Sequence, residues 1–166
     1  VIVDGKKLTP HRETINILLY KPPEYICSRN DPENRPTVFE LLPNHLKQQR
    51  SIHYAGRLDF KSEGLIILTN SGDLSQELSH PNSKVDKEYL VSLSKPFNMD
   101  DKDRLIEGIE IPTGLAKAIN VEKVSKRSIA ITLNQGLNRQ IRHMMSALNY
   151  RVVRLIRVRI GGLTDT

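Results

Sequence analysis

The sequence predicts an α+β fold with a mostly antiparallel sheet, because short strand-like segments outnumber helix-like segments along the chain. The alternation of Ile129, Ile131 and Leu133 is typical of a strand, and the spacing of Ile141 and Met144 is typical of a helix. A length of 166 residues suits one domain, and 38% hydrophobic with 27% charged residues excludes a fibrous or compositionally disordered chain. The longest apolar run covers residues 65–68, so no membrane partner is expected.

The first half of the chain is predicted to form short strands at residues 15–20, 25–28, 52–55 and 64–69. The first of these strands ends before two consecutive prolines, which provide no amide donors for a sheet. Residues 37–42 are predicted to form a helical turn, and Asn70-Ser71-Gly72 is predicted to cap a helix over residues 73–79.

The second half is predicted to contain strands at residues 87–94, 116–124, 128–133 and 151–160 and helices at residues 100–107 and 138–148. Gly108 is expected to end the first of these helices. In the last strand, apolar residues alternate with Arg157 and Arg159. This alternation predicts one face on the core and another face that offers guanidinium groups to a polyanion.

Positive charge is concentrated near the carboxyl end of the chain. The net charge is +6, and residues 136–166 contain six arginines, no lysine and one acidic residue. Arginine suits planar, two-pronged contacts to phosphate or carboxylate, whereas a surface that serves only solubility would mix lysine and arginine with acids. The asymmetry therefore favours a nucleic acid partner over a solubilising surface.

Several chemistries are excluded by the residues that are present. Cys27 is the single cysteine, so no internal disulfide forms, and five scattered histidines leave no cluster with the spacing of metal ligands. A reducing compartment fits this composition best. The sequence contains no phosphate-binding loop, no dinucleotide-binding glycine pattern and no nucleophile elbow. Cys27 has no evident histidine partner and is interpreted as a small core residue.

Asp59 is the acid with the most unusual setting. It lies in a loop that Gly56 opens between two predicted strands, two residues after Arg57. Loops between rigid strands often carry catalytic groups. The alternative is a solvated turn aspartate with a local hydrogen bond, and spacing alone leaves both interpretations open.

Several segments resemble the motifs of the RsuA-type ribosomal RNA pseudouridine synthases. In chain order they are LYKP at residues 19–22, RPTV at 35–38, HYAGRLD at 53–59, SEGL at 62–65, LTNSGD at 68–73, KEYLV at 87–91, GLNRQIRHM at 136–144 and RLIRVRIG at 154–161. The resemblance covers nearly all of residues 15–163. Two departures are Tyr20, where asparagine is commoner, and the Gly-Leu-Asn that replaces the more frequent Gly-Arg-Asn before Arg139.

The resemblance implies the pseudouridine-synthase fold, a bent mixed sheet with flanking helices and an active-site cleft between two half-domains. It also implies that residues 1–8 are the tail of an amino-terminal S4 RNA-binding domain and that residues 9–166 are the catalytic domain. Because the chain opens at Val1 without a leader pattern, a fragment or processed form is expected. The expected location is the cytoplasm, or an organelle if a targeting segment has been removed.

The reaction of the family detaches uracil from its ribose, turns it and rejoins it through C5, so neither metal nor cofactor is expected. By resemblance, Asp59 is the nucleophile or charge stabiliser at the anomeric carbon, and Arg142 is the guanidinium that keeps it ionised. Tyr89 is the base-stacking residue and proton acceptor. RNA-binding roles fall to Arg57, which positions the phosphate of the flipped nucleotide, and to Arg139, Gln140, Arg157 and Arg159, which hold the backbone.

The resemblance implies an enzyme that acts on ribosomal RNA, with large-subunit RNA favoured and transfer RNA as a second possibility, and a monomer. The rival interpretation is a non-catalytic RNA-binding or ribosome-assembly module, which predicts no pocket that joins Asp59, Tyr89 and Arg142. A remoter alternative is a nucleoside hydrolase or glycosidase, for which Glu63 is the nearby second acid.

Overall fold

The computed structural model describes residues 13–80 and 83–164, together with the backbone of two short strands before them. The strands are β1 (Ile2–Val3), β2 (Lys6–Lys7), β3 (Asn16–Lys21), β4 (His53–Ala55), β5 (Glu63–Thr69), β6 (Lys87–Leu93), β7 (Ile109–Ile111), β8 (Gly114–Ala116), β9 (Asn120–Ser125), β10 (Ser128–Leu133), β11 (Val152–Ile160) and β12 (Leu163–Thr164). The helices are α1 (Asn44–Lys47), α2 (Gly72–Ser79), α3 (Asp101–Glu107) and α4 (Gln140–Ala147), and a 3-10 turn covers Val38–Leu41. The predicted α+β class is confirmed.

The main sheet is mixed but mostly antiparallel. Its strand order is β3-β5-β11-β6-β10-β9, with β4 added beside β5 and β12 beside β11. Among the described strands, β5 and β11 are neighbours that run parallel. Glu63 and Gly64 pair there with Ile156 and Arg157. Because β11 belongs to the second half of the chain and β5 to the first, this contact joins the two halves.

Two apolar cores lie on either side of that junction. The core of the first half is built around Val38, Ile52 and Ile66, and the core of the second half around Val91, Ile129, Ile131, Met144 and Met145. Burial of such side chains is the main favourable contribution to folding. Tyr89 packs against both cores and therefore lies where the halves meet.

Most of the predicted helices and strands form, and the residues predicted to begin and end helices do so. The Ser71 side chain accepts a hydrogen bond from the Leu74 amide at the start of α2, and Gly108 ends α3 with a φ of +119°. None of the helices in the described ranges is long and apolar enough to cross a membrane. The expected domain boundary between residues 8 and 9 lies outside the described residues.

Two predictions of local structure are wrong. The strand expected at residues 25–28 is reduced to one bridge between Ile26 and Thr37, because the buried Lys21 ammonium takes the Tyr25 carbonyl that a neighbouring strand would use. The strand expected at residues 116–124 is divided between β8 and β9, and residues 118 and 119 donate their amides to Leu105 and Thr132. No glycine or proline marks this division, so the sequence carries no local signal for it.

Candidate active site

A pocket of about 340 Å³ lies between one face of the main sheet and two loops. The sheet contributes residues from β6, β10 and β11, and the loops are residues 56–62 and 135–139 together with the start of α4. Its size is in the range of small-molecule sites. Of the predicted site residues, those that line this pocket are Arg57, Asp59, Tyr89, Arg139, Gln140 and Arg157.

Cross-strand pairing explains why the sheet residues share one wall. Tyr89 pairs with Arg157 on β11 and with Ile131 on β10, while Lys87 pairs with Leu133. Directly paired residues point to the same side of a sheet, and residues two apart on one strand do so as well. Lys87 and Tyr89 therefore lie side by side in the pocket wall, next to Arg157.

Asp59 is half-buried in the loop between β4 and β5. The loop starts at Gly56, whose φ of +79° favours glycine. The Ser62 amide donates to the Asp59 carbonyl at 3.0 Å, and Arg157 Nη1 donates to the Arg57 carbonyl at 3.3 Å. The loop is therefore held at both Arg57 and Asp59, and Asp59 lines the pocket.

Arg142 is half-buried on α4. Its Nη1 donates to the Val152 carbonyl at 3.5 Å, and it does not line the pocket. Burial lowers the pKa of Arg142, and the nearby negative charge of Asp59 opposes that shift. The two groups interact electrostatically but form none of the ion pairs found among the described residues, so the expected direct contact is not made in this structure.

The residues expected to hold RNA separate into exposed and buried groups. Arg57 and Arg139 are exposed at the mouth of the pocket, where a phosphate can reach them. Gln140 is buried, and its Nε2 donates to Gln135 Oε1 at 2.8 Å, which excludes a contact to the RNA backbone outside the pocket. Arg159 lies away from the pocket and pairs with Glu88 at 3.0 Å.

The expectation that Arg157 offers its guanidinium on the outer face of the last strand is wrong. Its side chain is 2% exposed, and its Nε donates to the Leu65 carbonyl at 2.6 Å. The simple alternation along β11 is broken by an irregularity in the pairing with β6 between Arg157 and Arg159. Arg157 lies two residues after the buried Leu155, so its side chain is on the same face of the strand, the face that lines the pocket.

Two lysines add positive charge to this part of the structure, and the spacing of residues in the sequence did not identify either as a site residue. Lys87 lines the pocket, and Lys21 is fully buried, with its ammonium donating to the carbonyls of Pro22, Tyr25 and Phe60. Burial lowers the pKa of both lysines. For Lys21, the negative charges of Asp59 and Glu63 act against that shift. Apart from the motif resemblance, the sequence signal at Lys21 is its position directly before two prolines.

Glu63 does not supply a second carboxylate to the pocket. It lies at the start of β5, where Arg154 holds it through two hydrogen bonds of 2.7 and 2.9 Å and Tyr20 adds a third of 3.2 Å. It is absent from the pocket lining, which within the described ranges contains Asp59 as its one carboxylate. The arrangement lacks the pair of acids that glycoside hydrolysis uses, which removes the basis of the glycosidase alternative. The same ranges contain no group of three or more potential metal ligands.

Comparisons with known proteins agree with this geometry. The sequence model of the RNA pseudouridylate synthase family matches residues 15–147. Two relatives are the ribosomal large subunit pseudouridine synthase B of Yersinia pestis, 37% identical over 148 residues, and the ribosomal small subunit pseudouridine synthase A of Escherichia coli, 32% identical over 166 residues. The matches cover 87% and 99% of this chain and 46% and 71% of those proteins.

A solved structure described as a pseudouridylate synthase superimposes with a TM-score of 0.84 at 30% identity. The superposition covers 95% of this chain and 67% of that one. The matched segment includes the Asp59 loop, Tyr89 and Arg142. The chain therefore belongs to the RNA pseudouridylate synthase family, and within it to the RsuA type that its sequence motifs indicated.

Proposed function

We propose that this protein converts a uridine of ribosomal RNA into pseudouridine, with Asp59 as the nucleophile. The observation that carries the proposal is that Asp59 and Tyr89 line one pocket, together with the exposed Arg57 and Arg139. A base inside an RNA helix cannot reach such a pocket, so the target nucleotide must turn out of its stack.

The proposed reaction uses the chain's own side chains. Asp59 attacks C1′ of the ribose, and the electron pair of the C1′–N1 bond leaves with the base. Tyr89 holds the detached base by stacking while the base turns, because its ring lies in the pocket wall. C5 then bonds to C1′ as Asp59 leaves. Tyr89 relays the proton from C5, accepting it while releasing its own hydroxyl proton, and N1 gains one proton, so that the product is an isomer of the substrate.

Arg142 supports Asp59 in this proposal as a nearby positive charge. Its guanidinium and the Asp59 carboxylate attract each other electrostatically, so Arg142 stabilises the site around the nucleophile. The direct contact implied by the resemblance is proposed to form when the nucleotide is bound, since catalytic contacts often tighten in the complex.

The proposed substrate is ribosomal RNA, with large-subunit RNA favoured and transfer RNA as a second possibility. Support comes from the two relatives described above, one a ribosomal large subunit and the other a ribosomal small subunit pseudouridine synthase. We further propose that residues 9–166 form the catalytic domain, that residues 1–8 continue from an S4 domain, and that the protein is a cytoplasmic monomer. A non-catalytic RNA-binding module is the rival, and turnover distinguishes the two.

The test is release of tritium from RNA that carries uridine labelled at C5, together with mapping of pseudouridine in ribosomal and transfer RNA. Wild-type protein is expected to release tritium, and Asp59→Asn is expected to release none while retaining RNA affinity, because an amide keeps shape but cannot attack C1′. Appreciable turnover by Asp59→Asn would remove Asp59 from the nucleophile role. Binding without turnover by the wild type would favour the rival.

A further inference from the structure

Three buried side-chain polar atoms in the described part of the chain have no hydrogen-bond partner: Ser62 Oγ, Gln140 Oε1 and Arg157 Nη2. These residues are 1%, 5% and 2% exposed, and all three line the pocket that contains Asp59. Buried polar groups in native proteins are nearly always paired, because an unpaired one loses its hydration without compensation. Their common location points to a ligand that supplies the missing partners.

The other polar atoms of two of these side chains are already engaged. Arg157 uses Nε and Nη1 to hold the carbonyls of Leu65 and Arg57, and Gln140 uses Nε2 to hold Gln135 Oε1. These contacts fix the two side chains, so turning them to pair the remaining atom would break an existing hydrogen bond. Gln140 Oε1 and Arg157 Nη2 are therefore held in place before any ligand binds.

We infer that Ser62, Gln140 and Arg157 determine specificity for uracil by hydrogen-bonding its polar edge. This inference rests on the proposed function. The guanidinium nitrogen is a donor, the amide oxygen is an acceptor, and the serine hydroxyl can donate. Uracil presents the complementary set: carbonyl oxygens O2 and O4 accept on either side of the N3–H donor.

The assignment of atoms follows from this complementarity. Gln140 Oε1 accepts from N3–H, and Arg157 Nη2 and Ser62 Oγ donate to the two carbonyl oxygens. Cytosine carries an acceptor at N3, which would face the Gln140 oxygen and leave both acceptors unpaired. A site built to pair a polar group discriminates strongly against an analogue that lacks it, because its own buried atom is then left unsatisfied.

The test measures the ratio of single-turnover rates for RNA with uridine and RNA with 3-methyluridine at the target position. The wild type is expected to prefer uridine strongly, and Gln140→Met is expected to reduce the ratio by about tenfold or more, since the buried acceptor is removed. A purely structural role for Gln140 would slow both substrates equally. An unchanged ratio in Gln140→Met would overturn the inference.

Two pocket serines provide a matched second measurement that does not depend on the folding of Gln140→Met. The Ser62 hydroxyl is unpaired, whereas the Ser79 hydroxyl already donates to the Ser75 carbonyl. Ser62→Ala is expected to reduce the preference for uridine over 2-thiouridine or 4-thiouridine, because sulfur accepts hydrogen bonds weakly. Ser79→Ala is expected to leave both preferences unchanged. Equal behaviour of the two variants would contradict the inference.

Failure of the proposed function can be distinguished from failure of this inference. Conversion of uridine by the wild type tests the function alone. The inference can also be tested without turnover. The measurement is how much more tightly the uridine RNA binds than the 3-methyluridine RNA, first to Asp59→Asn and then to Asp59→Asn/Gln140→Met. A preference for the uridine RNA that Gln140→Met does not reduce would overturn the inference.

Discussion

A Cβ atom on Gly64 would lie 2.2 Å from the carbonyl oxygen of Arg157 and 2.6 Å from its backbone nitrogen. The two residues pair where β5 and β11 run parallel, and Gly64 has a φ of +107°. Position 64 therefore requires glycine both for its backbone conformation and for the close approach of the neighbouring strand. The same contact joins the two halves of the chain beside the pocket.

Gly64→Ala is expected to lower the free energy of unfolding by at least about 2 kcal/mol, because backbone atoms must move apart and the φ is unfavourable for alanine. The measurement is urea unfolding followed by circular dichroism. Gly72→Ala is the control, since Gly72 lies at the start of α2 with open space around it. That variant is expected to change stability by less than about 1 kcal/mol. Equal stability of Gly64→Ala and wild type would contradict the close approach.

Binding to RNA should depend on salt through the exposed arginines at the pocket mouth. Arg57→Gln and Arg139→Gln are each expected to reduce the slope of log affinity against log salt concentration by about 0.7–0.9, the value for one phosphate contact. Arg127→Gln is the control of equal charge change, because Arg127 precedes β10 while the pocket lies at the other end of that strand. Identical slopes for all three variants would place the RNA surface elsewhere.

Arg142 should act on the rate more than on RNA affinity. Arg142→Gln is expected to lower the single-turnover rate at saturating enzyme by at least about a hundredfold, because Asp59 loses a nearby positive charge. Arg142→Lys keeps the charge but not the planar geometry and should recover only part of the rate. A role limited to phosphate binding predicts weaker binding with an unchanged rate at saturation, which would contradict this placement.

The ion pair between Glu63 and Arg154 should make the free energy of unfolding depend on pH. The Arg154 guanidinium holds the pKa of Glu63 below its usual value of 4.5, while the unfolded chain has the usual value. The stabilisation is therefore fully present above about pH 4.5 and is lost as the pH falls through the lower value of the folded state.

Glu63→Gln is expected to be less stable than wild type at neutral pH, with the difference shrinking below pH 4.5. The measurement is thermal unfolding between about pH 3 and 7, the range that brackets an ordinary glutamate titration. Glu110→Gln, at an exposed position, is the control. A stability difference that is constant over this range would show that the charge of Glu63 does not contribute.

The sequence by itself determined the fold class, most strands and helices, and the loop that carries Asp59. These features depend on local patterns: alternation in β10, helical spacing in α4, the Ser71 cap and the glycine that opens the loop. The family and the pairing of Asp59 with Tyr89 in one pocket were implied by motif order.

Tertiary structure alone decided the roles of the buried polar residues. Arg157 was expected to face a polyanion, but its guanidinium is buried and donates to the carbonyls of Leu65 on the neighbouring β5 and of Arg57 in the Asp59 loop. Lys21 satisfies three carbonyls from two loops, and Gln140 and Ser62 become buried only where the halves of the chain meet. Which polar groups are buried, and which lack partners, depends on contacts between residues far apart in the chain, and local spacing carries no information about them.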